Sequence, residues 1–246
     1  MRTNTAKGEL RVTKSTKKIK IIGLGGIGTC LVLPLVRYLN HEYDDHEVHV
    51  TLVDGDSYEE KNRCRQHFSE FGNKAEVTVT NLVPQFPQIQ FAAKKKYVNE
   101  DNVISLIREG DIVFACVDNH VTRKLISDRC EELDNVTLIS GGNDHTDGNV
   151  ILYRRVNGED VGRPPTVIDP NIANPEDEHP SDLEERAGCQ EEVEEFPQLL
   201  FANNQAAAIM CNVLLALDQN KANFEQVYFD IITQKSRPVP ETNFFE

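Results

Sequence analysis

Lys18-Ile19-Lys20-Ile21-Ile22-Gly23-Leu24-Gly25-Gly26-Ile27-Gly28 joins an apolar, isoleucine-rich run to a cluster of four glycines. Lys18 to Ile22 is a short β-branched run that stops at Gly23, and Ile27 to Leu39 carries apolar residues at helical spacing. The glycines therefore punctuate a strand-to-helix turn. Pro34 lies inside the helical pattern and predicts either a kink or a shorter first turn. Gly23, Gly25 and Gly28 fit the spacing G-x-G-x-x-G, with Gly26 inside it. Glycine permits such a tight turn and lets backbone N–H groups approach a phosphate chain at a helix N-terminus.

Outward from this turn, strands and helices alternate. Val48 to Val53 reads as a second strand, Asn73 to Val83 as a helix, Ile89 to Phe91 as a weak strand and Glu100 to Glu109 as a helix. Ile112 to Val117 is a strongly apolar strand, Asn119 to Leu133 a helix and Val136 to Ser140 a further strand. Such alternation implies right-handed crossovers and a Rossmann-like α/β fold, a mostly parallel sheet with flanking helices. After Gly148 the texture changes. Asn149 to Val156 alternates as a half-buried strand, and about 157–195 is a long run of Pro, Asp, Glu and Asn that reads as a loop. Phe196 to Leu217 resumes as a long apolar helix and Gln226 to Ile231 as a closing strand, which adds an antiparallel C-terminal portion to the sheet.

With 246 residues, 39% hydrophobic and 27% charged, the chain has enough apolar material for one sizeable core, and a single domain over 1–246 is expected. A formal charge of -14 argues against a nucleic-acid surface, which needs clustered Lys and Arg to neutralise phosphates. The first residues are basic and polar, without the apolar core of a signal peptide, and no later stretch reads as a membrane span. A cytoplasmic protein is expected. The six cysteines are scattered and form no C-x-x-C pair, so neither a disulfide framework nor a zinc site is expected.

Asp54 ends the second strand, where a carboxylate can accept hydrogen bonds from ribose hydroxyls. Turn and acid together say "nucleotide", and by themselves favour a nicotinamide or flavin oxidoreductase. The next residues change the reading. From Asp54 the chain runs Asp54-Gly55-Asp56-Ser57-Tyr58-Glu59-Glu60-Lys61-Asn62-Arg63-Cys64-Arg65-Gln66, then Phe71-Gly72-Asn73-Lys74-Ala75, and later Cys116-Val117-Asp118-Asn119-His120-Val121-Thr122-Arg123. These segments resemble, in order, the D-x-D…N-x-x-R-Q…G-x-x-K-A and D-N-x-x-x-R signatures of the ThiF/MoeB/HesA and ubiquitin-activating-enzyme superfamily.

That resemblance implies an adenylating enzyme. A carboxylate attacks the α-phosphate of ATP while pyrophosphate leaves, and the site must neutralise the charge that grows on both. It assigns Arg65 and Lys74 to that task, Asn62 and Gln66 to orienting phosphates or the incoming carboxyl terminus, and Asp54 to the ribose; Asp118, at the end of the most apolar strand, can hold the magnesium that accompanies ATP, with Asp56 assisting. The glycines Gly23, Gly25, Gly26 and Gly28 hold the phosphates. Asp118 could equally be the N-cap of the helix that follows. The partner implied is a ubiquitin-like or sulfur-carrier protein with a free C-terminal carboxylate, with a conjugating-enzyme-like acceptor downstream if the system is a conjugation system of the bacterial kind. A homodimer is implied too. Two departures stand out: one residue, not two, separates Gly72 from Lys74, and only Arg2 and Arg11 are available as the N-terminal arginine that partner subunits commonly supply.

Cys189, in Gly188-Cys189-Gln190, sits in the acidic run before the last helix. It resembles the cysteine that takes the acyl group from the adenylate in ubiquitin-activating enzymes. Its neighbours Glu184, Glu185, Glu191 and Glu192 would raise a thiol pKa, so a transfer nucleophile and an incidental loop cysteine both remain open. A nicotinamide-binding oxidoreductase and a catalytically silent activating-enzyme scaffold are the alternatives.

Overall fold

The computed structural model describes residues 16–64, 66, 68–182 and 199–241, without the side chains of Lys61, Cys64 and Leu199. β1 (Thr16–Ile22) leads through the glycine turn into α1 (Gly26–Glu42), and β2 (Glu47–Val53) lies parallel to β1. A small antiparallel pair, β3 (Ser57–Tyr58) and β4 (Gly72–Asn73), brackets a 3₁₀ turn at Glu60–Cys64. Next come α2 (Lys74–Leu82), β5 (Gln90–Lys94), α3 (Val103–Leu106), β6 (Asp111–Ala115), α4 (His120–Glu131) and β7 (Val136–Asn143). The remainder is β8 (Asp147–Val156), β9 (Glu159–Val161), the single-turn helices α5 (Pro165–Ile168) and α6 (Pro170–Ala173), α7 (Leu199–Asp218), β10 (Phe224–Asp230) and β11 (Lys235–Pro240).

The main sheet has the order β11-β10-β8-β7-β6-β1-β2-β5, with β9 on β8. β7, β6, β1, β2 and β5 are parallel, while β8, β10 and β11 each run antiparallel to their neighbours. β2 and β5 lie on one side of β1, and β6 and β7 on the other. The crevice outside the carboxyl ends of β1 and β6 is thus the switch point where open α/β sheets bind ligands.

Two apolar layers hold the sheet. On one face, Ile19, Ile21, Val50, Leu52 and Phe114 pack against Leu31, Leu35 and Leu39 of α1 and Ala206, Met210 and Leu214 of α7. On the other, Ile22, Val53, Val113 and Ala115 meet Val103, Ile107, Ile126 and Cys130. Among the described helices, Leu200–Asp218 is long and apolar enough to cross a membrane by length and composition, contrary to the sequence reading. Here its apolar side is spent on the sheet instead, with Ala202, Ala206, Met210, Val213 and Leu214 all buried.

Several expectations shift. Pro34 does not break α1, which runs 17 residues through it with the proline on the exposed side. The helix expected at Glu100 to Glu109 shrinks to Val103–Leu106, because Asn99 and Asn102 exchange side-chain-to-backbone hydrogen bonds that divert the start of the helix. The weak strand is longer than expected, Gln90–Lys94. The run at 157–182 is not structureless: it holds β9, α5 and α6, with Pro165 and Pro170 at first-turn helix positions suited to their fixed φ. β11 was not anticipated, since Pro238 and Pro240 speak against a strand. Both fit because it is an edge.

Candidate active site

The glycine turn is built as the sequence requires. Gly23 adopts φ +88°, and a Cβ there would come within 2.8 Å of the Cys116 carbonyl, so only glycine lets β1 and β6 end this close together. Gly25 is the N-cap of α1 and supplies no side-chain hydrogen bond. Among the described residues, no side chain caps the first-turn N–H groups of α1. A Cβ on Gly25 would meet nothing within 4 Å. Open space beside uncapped donors suits a phosphate chain.

Asp54 closes this turn from the end of β2. Its Oδ2 accepts from the Leu24 N–H at 2.5 Å and its Oδ1 from the Asp56 N–H at 2.8 Å. Burial pushes its carboxyl up to about 6, although Lys74 pulls the other way. Carboxylate oxygens each accept two bonds, so Asp54 retains acceptor capacity for a hydroxyl. A Cβ on Gly55 would lie 2.6 Å from the Tyr97 ring, and the Tyr97 hydroxyl donates to Asp56 Oδ1.

Lys74 opens α2 directly beneath these acids. Its Nζ donates to Asp56 Oδ2 at 2.8 Å, and the residue is 6% exposed. Burial alone would lower its pKa, but Asp54 and Asp56 outweigh it and hold the ammonium above the ordinary lysine value. The shortened Gly72-to-Lys74 spacing therefore does not take Lys74 away from Asp54 and Asp56. Asn73, a residue the sequence reading used only as a helix start, arranges the group. Its Oδ1 caps α2 by accepting from the Ala75 and Glu76 N–H groups, and its Nδ2 donates toward the carbonyls of Asp54 and Asp56. Asparagine just before a helical pattern was the available signal.

Asn62 and Gln66 lie in the neighbouring turn, buried, and the Gln66 N–H donates to the Asn62 carbonyl. Asn62 Oδ1 accepts from the Glu59 N–H and so holds its own turn, while Gln66 Oε1 is buried with no hydrogen-bond partner among the described residues. No hydrogen bond among the described residues links these two to Asp54, Asp56 or Lys74. Stacked Tyr58 and Phe68, 4.5 Å between centroids, pin the segment to α2 through Val77. Arg65 and Cys189 fall outside the described residues, as do Arg2 and Arg11.

Asp118 follows β6 and is exposed. It is not the N-cap of α4, which corrects one expectation: Asn119 is, accepting from the Thr122 N–H at 2.8 Å. The first α4 N–H groups, those of His120 and Val121, are taken by Asp177 at 2.5 and 3.2 Å. His179 Nε2 then donates to the Val98 carbonyl while its Nδ1 accepts from Ser181. The start of the crossover segment is thus fastened at the carboxyl edge of the sheet, and neither anchor was foreseen. Arg123 of the D-N-x-x-x-R motif is buried and bonds the carbonyls of Val117 and Gly141 and the Ser140 hydroxyl. It joins the ends of β6 and β7.

A groove of about 610 Å³ starts at Asp118 and is lined further by Arg123, Gly142, Asn149, Tyr228 and Arg237. A second cavity of about 870 Å³ lies between α1, α7 and the turn after β10, where Cys30, Phe201 and Ile232 contribute and none of the predicted site residues does. Among the described residues no three His, Cys, Asp or Glu side chains gather into a metal cage. A magnesium ion at Asp118 would have to share its coordination with nucleotide phosphates, which is its usual mode. Of the described cysteines, Cys116 and Cys130 are buried, and burial raises their pKa values and those of Cys30 and Cys211.

Fold and site together define a Rossmann-like α/β protein whose glycine turn faces a clustered pair of acids and a buried lysine. The chain belongs to the ThiF family, whose model matches residues 4–235. It is 32% identical over 155 residues to the adenylyltransferase and sulfurtransferase MOCS3 of Drosophila sechellia, and 31% identical over 150 residues to that of Drosophila persimilis. These alignments cover 61% and 59% of this chain. The chain spans about a third of those relatives' length, 32% and 31%. In structure it is similar to Escherichia coli MccB with ATP (TM-score 0.64, 19% identity, 93% of this chain and 64% of that one) and to PaaA (0.63, 16%, 96% and 74%). At such identities the likeness concerns the fold.

Proposed function

We propose that this chain adenylates the C-terminal carboxylate of a ubiquitin-like or sulfur-carrier protein, using ATP and releasing pyrophosphate. The observation that carries the reading is the juxtaposition of Asp54, Asp56 and Lys74 beside an uncapped glycine turn at the sheet's switch point. A buried, charged lysine there suits an adenylation site, where charge grows on the phosphate oxygens and the leaving pyrophosphate. Phosphates would seat on the α1 N-terminus, with Asp54 accepting from the ribose. A carrier carboxylate oxygen would attack the α-phosphorus, breaking its bond to the bridging oxygen of the leaving pyrophosphate. Lys74 and Arg65 would neutralise that developing charge, and Asp118 would hold the magnesium, which supplies further charge neutralisation when bound.

MOCS3 is named for adenylyl and sulfur transfer, and one MccB structure holds AMPCPP with MccA. Both names fit a chain that carries out adenylyl transfer, and the groove leading away from Asp118 has room for an extended tail. A homodimer and a cytoplasmic setting complete the reading, together with transfer to Cys189 and a conjugating-enzyme-like acceptor in a conjugation system. The test is mass spectrometry of carriers incubated with the protein, ATP and magnesium. An AMP adduct on an intact carrier, absent from one trimmed at its C-terminus, is the expected result; no adduct on any carrier, with binding of NAD in place of ATP, would overturn it.

A further inference from the structure

Gly26, the first residue of α1, stands against a side chain from a distant part of the chain. A Cβ built on it would lie 2.1 Å from Nδ2, 2.6 Å from Cγ and 2.8 Å from Oδ1 of Asn203. The carboxamide of Asn203 therefore rests on the backbone at the very start of α1, and glycine is what admits it. Asn203 comes from the first turns of α7 and is 6% exposed. Its neighbour Asn204 donates back to the Leu200 carbonyl, but among the described residues no side chain or backbone group hydrogen-bonds the Asn203 amide.

What surrounds that amide narrows its partner. The N-terminus of a helix presents N–H donors, and that of α1 has no side-chain cap. Asparagine adds two further donors on its nitrogen. Donors therefore outnumber acceptors there: Asp54 is already engaged by the Leu24 and Asp56 N–H groups, Asn203 Oδ1 stands farther from Gly26 than its Nδ2, and the open space at Gly25 lies beside them. An anionic oxygen satisfies all of these groups together. A packing asparagine would be expected to find a carbonyl instead, as Asn204 does.

We propose that Asn203 contacts the nucleotide directly, donating from Nδ2 to a phosphate oxygen seated on the α1 N-terminus. The proposal rests on the nucleotide reading of the glycine turn and extends the phosphate site to a residue of α7. A neutral amide supplies a donor there without adding formal charge, and the glycine at position 26 serves Asn203 as much as the turn.

The test is calorimetric binding of ATP and, separately, of adenosine to the full chain and to Asn203→Asp and Asn203→Ala. Asn203→Asp is isosteric but places a carboxylate where a phosphate is expected. It should weaken ATP at least roughly tenfold, the equivalent of about 1.4 kcal/mol, and leave adenosine within about twofold. Asn203→Ala should show the same selectivity with a smaller loss, which covers the case in which the aspartate variant folds poorly. Equal losses for ATP and adenosine, or ATP affinity unchanged in both variants, would overturn the proposal while leaving the nucleotide reading intact. A wild-type chain that binds neither ligand would sink the reading itself and the proposal with it.

Discussion

Lys74 and Asp56 are paired side chain to side chain at 2.8 Å, but unequally buried: the lysine is 7% exposed and the aspartate 47%. The ammonium is thus held charged by a partner that water can take over, so an arriving phosphate can displace Asp56 at little cost. Lys74→Ala should lower kcat/KM for pyrophosphate release by roughly 10²–10³-fold, the usual loss on removing one group that stabilises developing charge. Asp56→Asn should lower the thermal midpoint measurably, because it removes one of the two carboxylates that compensate the buried Lys74 ammonium. Steady-state kinetics and a melting curve check the two arms.

Asp54 gives the pH dependence. Its folded-state carboxyl sits at about 6, against about 3.9 in an unfolded chain. The folded state then binds the extra proton between these values, so stability falls as pH rises from 4 to 6, by on the order of 3 kcal/mol in all. Asp54→Asn should flatten that decline in urea melts taken across the range. In the opposite sense, adenosine affinity should rise through pH 6 as Asp54 ionises and becomes a full acceptor for the ribose. This step should vanish in the asparagine variant.

Asp118 and Asn119 are adjacent but differently placed: Asn119 caps α4, and Asp118 is exposed. Asn119→Ala removes the α4 cap and should cost about 1 kcal/mol of unfolding free energy. Asp118→Asn should leave the melting temperature within about a degree, since the exposed carboxylate holds no helix end, while abolishing the magnesium dependence of adenylation. Parallel melts and magnesium titrations of the two variants check this.

Arg123 staples the end of β6 to β7 rather than standing as a free charge. Its guanidinium reaches two carbonyls and a hydroxyl at once, a fork that one ammonium cannot match. Arg123→Lys should therefore destabilise by about 2–4 kcal/mol, measured by chemical denaturation, and show no rescue over Arg123→Met.

For Cys189, a carrier adduct that is lost on reduction and absent from Cys189→Ala would mark thioester transfer. An adduct that survives in that variant would assign the cysteine no part in transfer and favour sulfur-carrier chemistry.

The alternating pattern from Lys18 to Ser140 was legible because buried parallel strands and amphipathic helices leave distinct periods in sequence, and the β1 and β2 boundaries fell within two residues of those read. Asp54, Asp56 and Lys74 were named by resemblance, and the fold brings these three together. What escaped were contacts between segments far apart in the chain. Asp177 on the α4 N-terminus joins residues 57 apart, and Asn203 reaches Gly26 from the far side of the crossover; no local period encodes either. β11 escaped for a different reason, because edge strands tolerate the prolines that read as breakers.

Adenylation of a carrier is measured by ATP–pyrophosphate exchange with a panel of ubiquitin-like and sulfur-carrier proteins, since exchange requires a reversible carboxyl adenylate. Exchange is expected with at least one carrier, lost when its C-terminus is trimmed and reduced roughly 10²–10³-fold by Lys74→Ala. Exchange that persists undiminished in Lys74→Ala, or fails with every carrier although the chain binds ATP, would contradict carrier adenylation at this site.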